Sequence, residues 1–299
     1  MITSHLMGGL GNQLFQIFTI IAYGFTHSVK FVFPFAKSLP DGMERPTYWD
    51  SFLEPLKMFT SENTKHRITN SELYNFPLFR EKGFNFQSIP KFSTDTMIYG
   101  YWQSYKYFDD VKDKIFQMIR LSQLQELVKT EYSRYFDDDY QCISMHFRLG
   151  DYKTKPEYHP ILPYEYYQKS MQYILDKEKE KEKEKGKEKE TRVLYFCEKE
   201  DNAIVLEHIQ RLNQLYPRVL FVKVDDTIVD WKQMILMSCC RHNIIANSTF
   251  SWWGAYMNIS ESKLVCYPSI WFGERMISHE SHHEYMKDLY PEKWMKIIL

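Results

Sequence analysis

The chain of 299 residues has little of what marks several common protein classes. Its net charge is −1 with histidine neutral, so no positive field is available to hold nucleic acid or an anionic membrane surface. A small substrate or a neutral polymer suits such a surface better. The five cysteines, Cys142, Cys197, Cys239, Cys240 and Cys266, are odd in number, sit mostly within apolar stretches and form no C-x-x-C pair. That argues against a disulfide framework and for a reduced, intracellular protein. No apolar run is long enough for a spanning helix. The longest, Leu14 to Gly24, contains Gln16 and Thr19, and the amino terminus has neither the basic segment nor the apolar stretch of a secretory signal. A cytoplasmic location is expected, and the N-x-[ST] sequons at Asn247 and Asn258 are then chance.

Several catalytic signatures are also missing. There is no P-loop, no G-x-S-x-G elbow and no paired-acid glycosidase signature; the Asp137-Asp138-Asp139 run precedes a strand and reads as solvated. The third glycine of a dinucleotide fingerprint falls on Leu14. His279-Glu280-Ser281-His282-His283 matches H-E-x-x-H, but the segment is polar, lacks an amphipathic helix around it and has no downstream histidine to complete the extended zinc pattern. No metal site is expected.

What is present begins with aromatics, 17% of the chain, which can stack on sugar rings or bases or simply fill a core. The most informative segment is His146-Phe147-Arg148-Leu149-Gly150-Asp151-Tyr152. It sets an imidazole, a guanidinium and a carboxylate just beyond an apolar stretch, Gln141 to Met145, that reads as a strand. Open α/β sheets bind ligands at such strand ends, and arginine offers a rigid fork of donors that suits a diphosphate. A second polar strand end follows the apolar Ile244-Ile245-Ala246, in Asn247-Ser248-Thr249-Phe250-Ser251-Trp252-Trp253-Gly254-Ala255.

The organisation along the chain is that of two α/β domains with a boundary near Asp138. In the first, Ile2 to Met7 reads as a strand, Gly8-Gly9-Leu10-Gly11-Asn12-Gln13 as a glycine loop and Leu14 to Phe25 as a helix. Lys30 to Phe35 reads as a second strand, Ala36 to about Lys91 as loops and short elements, and Met97 to Phe108 as an aromatic, polar strand end. In the second, strands at Val193 to Phe196, Val219 to Val224, Asn243 to Ala246 and Leu264 to Tyr267 alternate with helical patterns, which predicts a parallel sheet. The helix after Pro163 runs into a nearly pure Lys/Glu repeat over 177–190, expected to be a solvated extension or insert.

Taken in order, Gly8-Gly9-Leu10-Gly11-Asn12-Gln13-Leu14-Phe15-Gln16, Gly100-Tyr101-Trp102-Gln103-Ser104, the arginine segment, and Leu236-Met237-Ser238-Cys239 leading into Asn247 to Ala255 make the chain resemble the alpha-1,2-fucosyltransferases of glycosyltransferase family 11. The resemblance covers nearly the whole chain. It implies two Rossmann-like domains facing a cleft (the GT-B type), with residues 1–138 on the acceptor side and 139–299 binding GDP-fucose. The implied reaction is an inverting, metal-independent transfer of L-fucose from GDP-β-L-fucose to the 2-hydroxyl of a terminal galactoside of a glycan, with no cofactor. Carried over by position, it assigns Arg148 to the donor pyrophosphate, Thr249 and Ser251 to the same phosphates, and His146 to the guanosine. It adds Asn247, Ser248, Gly11, Asn12 and Gln13 to the donor site, and Trp102 and Gln103 to the acceptor. Asp151, the motif's carboxylate, is the candidate base for the acceptor hydroxyl, or else orients Arg148.

The chain departs from the family pattern at Leu149, where a second arginine is usual, and at Cys197-Glu198-Lys199-Glu200, where Ser-Asp-Asp is common. It departs again at Gln233, with Asp230 one turn earlier as a possible substitute for the usual acid. Two other readings stay open: a fucosyltransferase of another linkage, and a non-catalytic sugar-nucleotide or glycan binder that stacks sugars on Tyr101, Trp102 and Trp252.

Overall fold

The strand, glycine loop and helix at the amino terminus are present in the computed structural model, which describes residues 1–39, 44–185, 189–277 and 282–299. The chain divides into two compact units, Met1–Gln123 with Glu284–Pro291, and Leu124–His283 with Glu292–Leu299.

In the first unit, β1 (Ile2–Ser4) leads through the glycine loop into α1 (Leu10–His27). Leu14, Phe15, Ile17, Phe18, Ile20 and Ile21 of α1 are all fully buried. A helix apolar on every side belongs in a core. The short strands β2 (Ser38–Leu39) and β3 (Arg45–Pro46) pair antiparallel. Then come α2 (Asn70–Tyr74), β4 (Leu78–Arg80), β5 (Thr96–Tyr99) and α3 (Lys112–Met118). The main sheet of this unit has the order β1-β5-β4, all parallel. The strand expected over Lys30 to Phe35 is reduced to isolated parallel bridges, Ile2 with Phe31 and Phe33 with Thr60. Phe31, Val32 and Phe33 are all buried, so the segment lacks the in-and-out alternation of a half-exposed strand.

The second unit begins at Leu124, within α4 (Leu121–Glu131), ahead of the boundary expected near Asp138. The reason is packing. The Gln125 carboxamide donates to Ser238 Oγ at 3.0 Å and to the Met257 carbonyl at 3.1 Å, both within this unit. Strands β6 (Tyr140–His146), β7 (Glu190–Phe196), β8 (Val219–Lys223), β9 (His242–Ile244), β10 (Val265–Pro268) and β11 (Met295–Ile297) alternate with α5 (Tyr164–Lys185), α6 (Asn202–Leu215), α7 (Asp230–Ser238) and α8 (Thr249–Tyr256), and between β10 and β11 the chain passes through α9 (His282–Met286), which belongs to the first unit from Glu284 on. The last strand has no counterpart in the sequence reading.

The six strands form one parallel sheet in the order β11-β10-β9-β6-β7-β8. Counted within the unit this is the doubly wound order of dinucleotide-binding folds, and the winding reverses between β6 and β9, where ligands bind beyond the carboxyl ends. Ile143 to Met145 of β6 lie beside His242 to Ile244 of β9. The two strand ends singled out from the sequence therefore meet at the reversal.

Part of the Lys/Glu repeat is not solvated. Glu178 of α5 is 5% exposed, takes bonds from Arg241 Nε at 3.1 Å and Lys181 Nζ at 2.9 Å, and lies 3.2 Å from His242 Nε2. Residues 186–188 of the repeat lie outside the described residues. Both sequon asparagines are buried with their amides committed, Asn247 to the Pro160 and Trp271 carbonyls and Asn258 to Cys240 O and Asn243 Oδ1. All five cysteines are free thiols. Among the described residues no helix is long and apolar enough to cross a membrane.

Candidate active site

β6 is buried from Gln141 onward and ends at His146, which is 7% exposed. Burial pushes this imidazole down to about 3, with Arg148 and Lys223 adding to the effect, so the ring is neutral at ordinary pH. Among the described residues its Nδ1 is buried without a hydrogen-bond partner. Such an atom costs about 1–3 kcal/mol unless something bonds it. Phe250, from the first turn of α8, lies 5.6 Å from the ring.

Two residues on, Arg148 is held by two carboxylates. Its Nη2 donates to Asp151 Oδ1 at 2.5 Å and its Nη1 to Glu198, just past the end of β7. Burial works to lower the guanidinium's pKa, but Glu198 and Asp151 outweigh it and the net direction is up. The Tyr152 ring lies 5.2 Å from the guanidinium, and the Tyr152 hydroxyl donates to the Asn247 carbonyl at 3.0 Å, joining the arginine segment to the turn after β9. Gly150 has φ +36°, and a Cβ there would lie 2.6 Å from a Glu198 carboxylate oxygen. Glycine takes this φ without strain and leaves the space that the Glu198 carboxylate occupies beside the arginine. Leu149 faces the other way, 6% exposed within the apolar core, so the side chain at the family's second-arginine position is a packing residue here.

The turn after β9 is organised by its own hydroxyls. Ser248 caps α8, accepting from the Phe250 amide at 3.3 Å. Ser251 is 1% exposed and its Oγ accepts from the Ala246 amide at 3.2 Å. A hydroxyl so engaged holds the turn, and Thr249 beside it is partly exposed. The Asn247 carboxamide is likewise spent on carbonyls, although its Oδ1 is buried and unpartnered. Trp252 and Trp253 are fully buried.

Asp201 is the residue the sequence reading missed. Fully buried, it accepts from the Gly150 amide at 2.8 Å and from Lys153 Nζ at 2.5 Å, fixing the turn that carries Asp151 and Tyr152. Its only signal in the sequence is its place at the end of the acidic run after β7. Gln233, at one departure from the family pattern, donates to the Ile228 carbonyl at 2.7 Å, while Asp230 accepts from the Trp231 amide at 2.7 Å.

The residues expected in the first unit form a cluster of their own. Gly8 has φ +74°, and a Cβ there would lie 2.5 Å from Asn12 Nδ2. Gln13 is buried and donates to the Gly8 carbonyl at 3.0 Å and the Pro46 carbonyl at 2.9 Å, so its amide braces the loop. Gln16 brackets Met7, accepting from its amide at 2.9 Å and donating to its carbonyl at 3.0 Å. Gln103 donates to Asn12 Oδ1 at 3.0 Å, which brings two of the expected side chains together beside Gly11.

Trp102, expected at an acceptor site, has no exposed surface, lies 6.2 Å from Phe79 and 5.3 Å from Tyr107, and has φ +55°. It is a core residue. Its amide and that of Tyr101 donate to Glu81, a carboxyl that burial pushes up to about 7 against the pull of those bonds. Among the described residues no group of three or more His, Cys, Asp or Glu is arranged to hold a metal. The His279 to His283 segment lies outside the described residues except for the backbone of His282 and His283 in α9.

The model of glycosyl transferase family 11 matches residues 1–296. The chain belongs to glycosyl transferase family 11. Two curated proteins of Escherichia coli are similar to this family 11 chain. The O-antigen biosynthesis glycosyltransferase WbnK is 31% identical over 181 residues, 58% of this chain and 55% of WbnK. The chain thus spans about half the length of that relative. An alpha-1,2-colitosyltransferase is 26% identical over 99% of this chain and 98% of its own. Among solved structures, a glycosyl transferase family 9 protein from Veillonella parvula superposes with a TM-score of 0.49 at 10% identity, covering 99% of this chain and 86% of that one. The fucosyltransferase NodZ from Bradyrhizobium gives 0.43 at 11%, covering 85% and 92%. Neither likeness is close enough to bear on function.

Proposed function

We propose that the second unit binds GDP-β-L-fucose at the β6/β9 reversal and that the protein transfers L-fucose, with inversion, to the 2-hydroxyl of a terminal galactoside of a glycan. What supports this most is one arrangement at that reversal: a braced arginine beside a buried, neutral imidazole with an unused nitrogen, in a chain matched along its length by a glycosyltransferase family.

Arg148 has five N–H donors, and its bonds to Asp151 and Glu198 use only part of them. The remaining donors meet the diphosphate while the two carboxylates fix the fork, so Asp151 orients Arg148. His146 stays neutral and bonds the nucleoside through Nδ1. Thr249 and the first-turn amides of α8 add donors to the phosphates. As the bond from fucose to phosphate breaks, negative charge grows on GDP, and these preorganised donors stabilise it without a metal.

A second reading is favoured by the end-to-end match to an alpha-1,2-colitosyltransferase: the transferred sugar is colitose, the 3-deoxy counterpart of fucose. The test is GDP release from GDP-fucose and GDP-colitose, with and without galactose-terminated acceptors, in EDTA, with linkage analysis of the product. Acceptor-dependent turnover that survives EDTA and falls by about a hundredfold or more in Arg148→Ala is expected. Turnover unchanged in that variant refutes the assignment of Arg148.

A further inference from the structure

Beyond Arg148 and Asp151, one titratable side chain near the same strand end has ring nitrogens that bond nothing among the described residues. His159 lies in the segment between β6 and α5. Its ring stacks on Tyr152, with centroids 4.6 Å apart and planes at 19°, and Phe272 from the loop after β10 lies 5.8 Å away. The Arg148 guanidinium lies 5.2 Å from the same Tyr152 ring. His159 is therefore set beside the proposed diphosphate site by a rigid phenol that is itself anchored to the Asn247 carbonyl. It is partly exposed, and among the described residues neither ring nitrogen makes a hydrogen bond.

Asp151 is in a different position. Its carboxylate is committed to Arg148 at 2.5 Å, and taking up a proton would release the arginine when GDP needs it most.

We propose that His159, rather than Asp151, receives the proton of the acceptor hydroxyl. This rests on the transferase reading above. The hydroxyl proton passes to an imidazole nitrogen, the oxygen forms the new bond to the anomeric carbon, and the bond from that carbon to the phosphate oxygen breaks, its electron pair leaving with GDP. The imidazolium then returns its proton to solvent. A base must be neutral to act, and the surroundings of His159 keep it so. Burial holds its pKa below the usual imidazole range. Asp151 pulls it up while Arg148 and Lys155 push it down, and the flanking rings of Tyr152 and Phe272 carry no charge at neutral pH.

The test uses the full-length protein, with His159→Gln and His159→Ala compared with wild type. GDP affinity is measured by calorimetry, and kcat and KM with GDP-fucose or GDP-colitose plus the acceptor that the wild type uses. General-base catalysis contributes about a hundredfold to ten-thousandfold. The expected result is a kcat loss in that range with GDP affinity within about threefold of wild type, loss of the acidic limb of the pH profile, and partial rescue of His159→Ala by added imidazole. A kcat near wild type overturns the proposal, and so does a loss confined to GDP affinity, which makes His159 a nucleotide contact. A wild-type protein that neither binds GDP nor turns over either donor overturns the transferase reading and this role with it. A wild-type protein that turns over normally while His159→Gln does the same overturns only the role.

Discussion

Glu178→Gln, set against Glu180→Gln, separates burial from composition within one repeat. The two glutamates stand two residues apart in the same Lys/Glu run, but the Glu178 side chain is 5% exposed and the Glu180 side chain 64%. His242, Lys181 and Arg241 overcome the opposing effect of burial and hold the Glu178 carboxyl at about 2, from an ordinary value of 4.5. A depression of that size corresponds to about 3 kcal/mol favouring the folded state. Because the folded value is the lower one, the contribution is fully present above the unfolded value, at neutral pH, and is lost as pH falls toward 2. Roughly 1 kcal/mol of it is gone by pH 4. Removing the charge also leaves Arg241 and the buried His242 facing a neutral amide in place of a carboxylate. At about 2–4 °C per kcal/mol for a unit of this size, Glu178→Gln should melt roughly 6–12 °C below wild type at pH 7. The gap should narrow at pH 4, and Glu180→Gln should melt with the wild type. Thermal unfolding followed by circular dichroism at the two pH values measures this. A Glu178→Gln curve superimposed on wild type at pH 7, or a gap that widens on acidification, would refute the reasoning.

The remaining predictions concern the sites. Trp102→Phe should leave the acceptor KM unchanged, while Trp102→Ala should lose about 3–5 kcal/mol of stability, because the indole is a packed core group; a selective rise in KM for Trp102→Phe would restore an acceptor role. Wild-type affinity for GDP should show no imidazole titration from His146 between about pH 5 and 8, since that ring protonates only as pH approaches 3. Calorimetry of His146→Ala should give weaker binding by the same factor at every pH in that range. Gly150→Ala should cost about 1–2 kcal/mol in backbone strain and displace Glu198 from Arg148, so that a variant with wild-type melting and GDP affinity would argue against the Arg148 clamp.

The α/β class and most of the strands were legible because their signal is local. Buried parallel strands read as short apolar runs, and each expected strand of the second unit overlaps its observed position, the largest offset being the three residues by which β7 starts ahead of Val193. The arginine and hydroxyl segments were legible as polar strand ends for the same reason. What could not be read was which polar side chains the fold spends on itself. Gln13, Asn247 and Ser251 look like ligand contacts in sequence and are largely engaged with neighbouring backbone. Glu198 looked like a loss from the family pattern, and it braces Arg148 across a glycine. Asp201 gave little warning and His159 none, because each acquires its meaning from side-chain contacts with the turn after β6 that periodicity does not report.

The sequence by itself determined that this chain alternates strands and helices, that two of its strands end in polar groups suited to a diphosphate, and that it carries the motifs of family 11. Only the tertiary structure decided that those two ends meet where the sheet reverses its winding. It also decided that one glutamate of a charged repeat is buried, and that Trp102 packs inward rather than facing a sugar. The physical reason is that periodicity and propensity are set by neighbours along the chain, whereas burial, ionisation and hydrogen-bond partnership are set by whichever groups the strand order brings alongside.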